Sequence, residues 1–427
     1  MTRFVLLLFV AVSSFTSFAQ DFDFDLNTDV KYRTIEGVEG GNFLDVKVAP
    51  ELTLPGFFGT RFDLNIPYNL STNEIRKIDT KFGNSFKYAY IGTNTAYIMA
   101  GAVEGYSQGY TGMIVNNYNT RLDENNMKSG AYAGINVEGF SINAMTNNIE
   151  NPEVFTGAMG IDLPFLANFK LNVSGGYDVN PDNNKDTKES AGAFAAELYS
   201  ALEIADYNYF YVVGGMGQIL GRGNGQLGLV GARFGTESFF FNLSGSLMRL
   251  GPGFEWGFFD AFYEKDRKIG FNKADSLFDK YPKSSGGTNF YASIGYKNED
   301  PSEMKFAVEG FYFTNYAGMD LNEFNAAVSL YLPRTLLGEE GELLSARLLL
   351  KTKAFQDVTG LINQLKQPDT RTVITLDAPI TLLPNVYGLG ALAFVLNYSW
   401  SFTYDNVSLG FVPQKNLLYG FRLISNI

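Results

Sequence analysis

The stretch from Leu389 to Tyr404 constrains this chain more than any other. Leu392, Phe394, Leu396, Tyr398, Trp400, Phe402 and Tyr404 share one parity, while Ala391, Ala393, Asn397, Ser399, Ser401 and Thr403 occupy most of the other. A period of two sends alternate side chains to opposite faces of a strand, giving one broad apolar face and one face of small residues. The rhythm recurs. Phe169, Leu171, Val173 and Tyr177 alternate with Lys170, Asn172 and Ser174; Phe239, Phe241, Leu243 and Leu247 alternate with Asn242, Ser244 and Ser246. Phe324, Ala326, Val328 and Leu330 alternate with Glu323, Asn325 and Ser329; Leu344, Ala346, Leu348 and Leu350 alternate with Ser345, Arg347 and Lys351. A soluble β-sandwich or propeller alternates too, but its outward face is the polar one. Here the second parity is mostly Gly, Ala, Ser and Asn, and no repeat of solenoid or propeller spacing is evident. The pattern predicts strands whose apolar face meets lipid and whose small polar face lines water.

Composition narrows the chemistry. The chain contains no Cys and no His, which rules out thiolate or imidazole metal ligands, disulfides, and Ser-His-Asp or Cys-His catalysis. No spacing of carboxylates makes a catalytic pair, so no enzyme activity is expected, and no cofactor is called for. A net charge of −12 argues against a nucleic-acid partner. Met1-Thr2-Arg3, the apolar run Phe4 to Val12 and the small residues Ser17 and Ala19 predict a signal peptide over 1–20, cleaved near Ala19 or Gln20. No later run of about 18 apolar residues could cross a bilayer as a helix.

These features predict an all-β chain: a single antiparallel transmembrane β-barrel over 21–427, with short periplasmic turns and longer external loops. Short connections fall at Glu138-Gly139, Ala205-Asp206, 235–237 and 333–342. Longer ones fall at 179–190, 251–286 and 356–369. Strands near 22–34, 42–53, 58–66, 83–92 and 96–114, with external loops near 35–41, 67–82 and 115–129, join fifteen later strands to make 20. Counts of 16 or 18 remain open if an N-terminal segment folds inside.

Residues 251–286 break the rhythm. Phe254, Trp256, Phe258, Phe259, Phe262 and Tyr263 need burial, and long irregular loops are often functional. The insertion folds into the lumen and narrows it, docks on a partner, or caps the rim. Glu255, Trp256, Asp260, Glu264, Asp266 and Arg267 are therefore candidate constriction or partner-loop residues. Parity makes Arg347, Lys351, Lys353, Arg371, Glu309, Glu323 and Asp377 candidate pore-lining residues. Opposed charges there would set ion preference in an open pore, or form salt bridges in a closed one. Glu197 and Glu203 share a face on the strand near 191–204.

The ending Phe18-Ala19-Gln20 of the signal, the alternating strands and the aromatic C-terminal strands resemble porin-like outer-membrane proteins of diderm bacteria. That resemblance implies a passive diffusion pore in the bacterial outer membrane for small hydrophilic solutes or ions. Its partners would be outer-membrane lipid, small solutes, and a further copy of the chain or another outer-membrane protein. Two alternatives stand beside it: a non-conducting scaffold that binds partner proteins, suggested by the aromatic insertion, and a hydrophobic-substrate transporter of fatty-acid type, suggested by Phe240, Phe311 and Phe313.

Overall fold

The computed structural model describes residues 23–426, apart from 36–41, 55, 73, 76–85, 94, 122–126, 164–167, 185, 187–188, 268–271, 281–282, 298–302, 317–321, 338–341, 385–390 and 406–409. The signal peptide expected at 1–20 lies outside the described residues. The strands are β1 (Asp23–Ile35), β2 (Asn42–Leu54), β3 (Phe58–Phe62), β4 (Leu64–Asn69), β5 (Glu74–Ile75), β6 (Phe86–Gly92), β7 (Ala96–Gly101), β8 (Glu104–Tyr106), β9 (Tyr118–Asn119), β10 (Gly130–Val137), β11 (Phe140–Thr146) and β12 (Val154–Leu163). They continue as β13 (Phe169–Asp178), β14 (Ala191–Ala205), β15 (Asn208–Ile219), β16 (Asn224–Gly235), β17 (Phe239–Leu250), β18 (Ser285–Tyr296), β19 (Lys305–Asn315), β20 (Glu323–Pro333), β21 (Glu342–Lys353), β22 (Thr372–Leu383), β23 (Ala391–Asp405) and β24 (Gly410–Asn426). Among the described residues three α-helices sit in loops: α1 (Tyr263–Asp266), α2 (Leu277–Lys280) and α3 (Val358–Lys366).

The wall is a closed antiparallel barrel of 20 strands, the number the alternation predicts. β3 and β4 are two halves of one wall strand, both paired to β2. β5 and β6 pair with β4 and β3 in turn and occupy the next position. β1 pairs β24 from Asp25↔Asn426 to Ile35↔Asn416, which closes the ring and leaves no free edge. β8 and β9 stand apart as their own two-stranded sheet.

Register makes the outer face continuous. Phe234, Phe241, Ile294, Val308, Val328, Leu348 and Leu376 are successive cross-strand partners from β16 to β22. One residue along, Arg233, Asn242, Ser293, Glu309, Ala327, Leu349 and Thr375 form the matching row on the inner face. Outward side chains such as Leu247, Val230 and Ile98 are 71, 66 and 63% exposed, whereas inward Ala195 is fully covered. A wall with such an apolar outer face suits a lipid surround. Val328→Arg is therefore expected to cost about 2–4 kcal/mol, and Ser329→Arg well under half of that, since one meets lipid and the other the lumen. Denaturant titration of the two variants in lipid checks this; equal costs would reject the facing.

The inner face is not uniformly wet. Ala393 and Val395, on the parity expected to line water, are fully buried. Beside them Arg334, in the short 3₁₀ turn after β20, donates to the Thr381 carbonyl at 2.6 Å. Thr381 pairs with Ala393, so this connection is tied to the wall beneath it.

Candidate functional site

Sequence reading runs a strand from 96 to 114 and places 115–129 outside. The wall strand β7 instead stops at Gly101, directly opposite Gly130 at the start of β10. The chain from 102 to 121 enters the barrel. Glycines at 105, 109 and 112, with φ of +70, +75 and +67°, bend it where a strand would have to stay extended. Val103, Met113, Ile114, Val115 and Tyr118 become buried.

The insertion after β17 turns inward as well. Phe254, Trp256, Phe258, Phe259 and Tyr263 join the residues of the first loop in one cluster. The inward wall residues Ala193, Ala195, Val213, Leu227, Leu229 and Phe313 belong to the same cluster, which places both loops inside the lumen. Their backbones pair: Gly257 N–H donates to the Met113 carbonyl and Phe259 N–H to that of Ile114, both at 2.9 Å, and Asn116 N–H donates to Phe259 O at 3.1 Å. Of the three placements open for the aromatic insertion, the structure shows the lumen, and its partner is the first loop.

Wall glycines are sockets for this plug. A Cβ on Gly176 would lie 2.5 Å from the Phe259 ring, on Gly225 2.5 Å from the Phe254 ring, and on Gly217 2.7 Å from the Met113 sulfur. The first loop meets β14 at Gly109-Tyr110-Thr111. There Tyr110 N–H donates to Glu197 Oε2 at 2.7 Å and the Thr111 hydroxyl bonds the other oxygen. Glu197 is 1% exposed, and Tyr110 stacks on Tyr199 at 4.9 Å.

Two ionic clusters pin the plug to the wall. Arg267, its side chain 1% exposed, lies 2.8 Å from Glu153, 2.8 Å from Asp178 and 3.2 Å from Glu264. Lys128 reaches Glu264 at 2.6 Å, Asn147 donates to it at 2.8 Å, and the Tyr118 hydroxyl bonds it too. Burial alone would push the Glu264 carboxyl up; Lys128 and Arg267 more than reverse this and hold it well below the usual carboxylate range. At the second cluster Lys353 of β21 bonds Asp260 at 3.0 Å and Asp266 at 3.1 Å. Its ammonium also lies 4.6 Å from the Phe262 ring centroid. Lys273 donates to Phe258 O at 2.8 Å and stands 3.5 Å from Glu255.

The residues singled out from sequence thus have several fates. Asp260, Glu264, Asp266 and Arg267 serve as pins, Glu255 faces Lys273, and Trp256 stacks on Phe313 at 6.4 Å. Lys353 holds the plug, and Glu323, its register partner, accepts from Asn325 at 2.6 Å. Arg347 and Asp377 are exposed inner-face partners across β21 and β22, and Asp377 also bonds Asn397. Lys351 is half-buried beside them, and Glu309 is exposed, with Tyr291 O–H 3.4 Å away. Arg371 sits at the long-loop rim, bonding Asp369 at 2.7 Å and Ala354 O at 2.9 Å. Of the two glutamates noted on β14, Glu197 anchors the first loop while Glu203 is exposed. Sequence reading missed Glu153, Asp178, Lys128 and Lys273; only the spacing of glycines at 105, 109 and 112 signalled a bend.

The plug packs chiefly on the wall from β11 to β21. Along β1 to β7 and β10 the lumen keeps three cavities of about 330, 470 and 650 Å³. A closed, even-stranded barrel with an apolar outer wall and a partly filled lumen is the architecture of an outer-membrane protein.

No family model matches the sequence, and no curated protein matches it. Among solved structures, OccK11 (OpdR) of Pseudomonas aeruginosa aligns over 95% of this chain and 96% of its own, at 11% identity and a TM-score of 0.36. A BenF-like porin from Pseudomonas fluorescens aligns over 96 and 100%, at 9% identity and 0.38. OccK8 (OprE) of Pseudomonas aeruginosa aligns over 96 and 99%, at 8% identity and 0.38. Likeness at this level does not extend to sites or solutes.

Proposed function

We propose that the protein is an outer-membrane channel for passive diffusion of small hydrophilic solutes or ions, with a lumen narrowed by an internal two-loop plug. One observation carries this reading: the plug fills one side of a closed barrel and leaves along the other a series of cavities that share lining residues, among them tyrosines and paired charges. A channel needs a wet path that holds its solute weakly and at several places. The hydrophobic-substrate alternative is less supported, because its aromatics are already engaged. Phe313 is buried against Trp256, Phe311 packs on the plug cluster, and Phe240 lies under Arg233 at 5.6 Å.

In planar bilayers the purified protein is expected to give stepwise current of small unit conductance. A correctly folded barrel that stays silent at every voltage would turn the reading toward the non-conducting scaffold. The inward packing of the insertion takes its aromatics away from an external partner, which further favours the channel.

A further inference from the structure

We propose that the passage beside the plug is a slot selective for small, neutral, ring-shaped solutes bearing hydroxyl groups, of the monosaccharide class; this rests on the channel reading above. Three cavities lie along this wall, neighbours sharing lining residues. The first is lined by Lys31, Asp45, Lys47, Asp63, Glu104 and Arg121, among others. The second shares Lys87 and Glu104 with the first, and adds Tyr88, Tyr97, Met99, Tyr106 and Tyr132. The third shares Tyr97, Met99 and Tyr132 with the second and ends at Gly56 and Thr93, in the short turns after β2 and β6. Among the described residues, no charged side chain lines this last cavity. Each volume lies within the roughly 300–1,000 Å³ of small-molecule sites.

The tyrosines line these cavities and are partly exposed. A Cβ at Gly59 would lie 2.4 Å from the Tyr90 ring, and one at Gly134 2.6 Å from the Tyr97 ring. Both rings remain partly exposed and line the third cavity. Tyr88 stacks with Tyr90 at 6.4 Å, Tyr132 meets Tyr97 edge-on at 6.1 Å, and Tyr106 lies 6.0 Å from Tyr132. A tyrosine offers an apolar face to the C–H side of a saturated ring and a hydroxyl to its rim. Several such faces in series hold a solute weakly enough to pass it on.

Charge at the first cavity is largely cancelled in place. Lys47 pairs with Asp63 at 2.8 Å, Lys87 with Glu104 at 2.9 Å and Lys31 with Asp29 at 2.8 Å. A solute with a net charge gains little from compensated pairs and loses hydration among the tyrosines. Arg121 is the exception: its guanidinium donates to Phe86 O at 2.7 Å and Ser129 Oγ at 3.2 Å and makes no ion pair among the described residues. These bonds tie down the end of the first loop.

The test is isotonic swelling of liposomes carrying the full-length protein, with glucose, mannitol and glucuronate. Glucose and mannitol match in size but only glucose is predominantly a ring. Glucose is expected to enter about three- to tenfold faster than mannitol, the worth of one or two ring contacts, with glucuronate no faster than glucose. Tyr97→Ala combined with Tyr132→Ala should bring the glucose-to-mannitol ratio to near one, while Tyr97→Phe, and Tyr331→Ala on β20 outside these cavities, should retain it. Potassium chloride conductance of each variant verifies a folded, inserted barrel. Equal entry of glucose and mannitol, or a ratio untouched by the double variant, overturns the slot and leaves the channel reading standing. Faster entry of glucuronate than glucose overturns it in favour of anion capture at Arg121. No entry of any solute and no conductance from a folded barrel would overturn the channel reading itself.

Discussion

Replacing Arg267 by methionine is expected to release the plug. The guanidinium stands among Glu153, Asp178 and Glu264, and also donates to Asn180 O at 2.8 Å. Without it three carboxylates are left in a covered site with only Lys128 to offset them. Removing one partner of a buried ionic cluster costs about 3–5 kcal/mol, because the remaining charges stay desolvated. The strand ladder of the barrel does not depend on this residue, so the loss falls on the docking of the insertion against the wall at Glu153 and Asp178. Single-channel recording should show a larger and noisier conductance, and protease added from outside should cut the released loop. Unchanged conductance would mean that the aromatic seam holds the plug without its pins. Acidity is a second handle. Glu264 has its carboxyl pKa lowered in the folded protein, so its contribution is fully present above the unfolded value and is lost only as pH falls through the lowered one. Lowering the pH from roughly 7 to 5 should therefore leave the plug's hold through Glu264 unchanged.

Asp29→Ala is expected to weaken the closure of the barrel by a comparable amount. Asp29 on β1 lies opposite Arg422 on β24, the pair of strands that completes the ring. It accepts from Arg422 Nε at 2.7 Å and Nη2 at 3.2 Å, and Lys31 stands 2.8 Å away. A bidentate carboxylate–guanidinium contact is among the stronger charge-assisted arrangements. Its loss leaves Arg422 and Lys31 facing each other in a covered site, at a cost of about 3–5 kcal/mol. The temperature at which the folded band disappears on a semi-native gel should drop markedly. Glu104→Ala, which breaks the half-exposed Lys87–Glu104 pair, is the control and should cost about 1 kcal/mol or less. Equal effects of the two substitutions would show that closure does not lean on Asp29.

The wall was legible because its signal is local. Alternation at 389–404 or 239–247 needs only neighbours in sequence, and 20 strands follow from summing such segments. The run after β7 misled for the same reason. Tyr97 and Met99 alternate correctly with Ile98, and nothing apolar marks the place where the strand ends; only three closely spaced glycines do. The aromatic insertion was legible as something requiring burial, but its destination was not. Its contacts join residues far apart in sequence: the Tyr118–Glu264 bond spans 146 positions and Arg267–Glu153 spans 114. Glycine at 176, 217 and 225 reads as a tolerated strand residue, yet its use is to seat rings that arrive from another loop.

The sequence by itself determined that the chain exposes apolar residues on one strand face and small or polar ones on the other. It also determined that no Cys or His chemistry is available. Period-two patterning is a property of each strand alone, so it survives without knowledge of neighbours. Only the tertiary structure decided which lumen charges are pins and which are left on the inner face, and which half of the barrel stays open. Those outcomes depend on what two irregular loops meet once the wall has closed around them. Irregular segments carry no period from which their partners could be read.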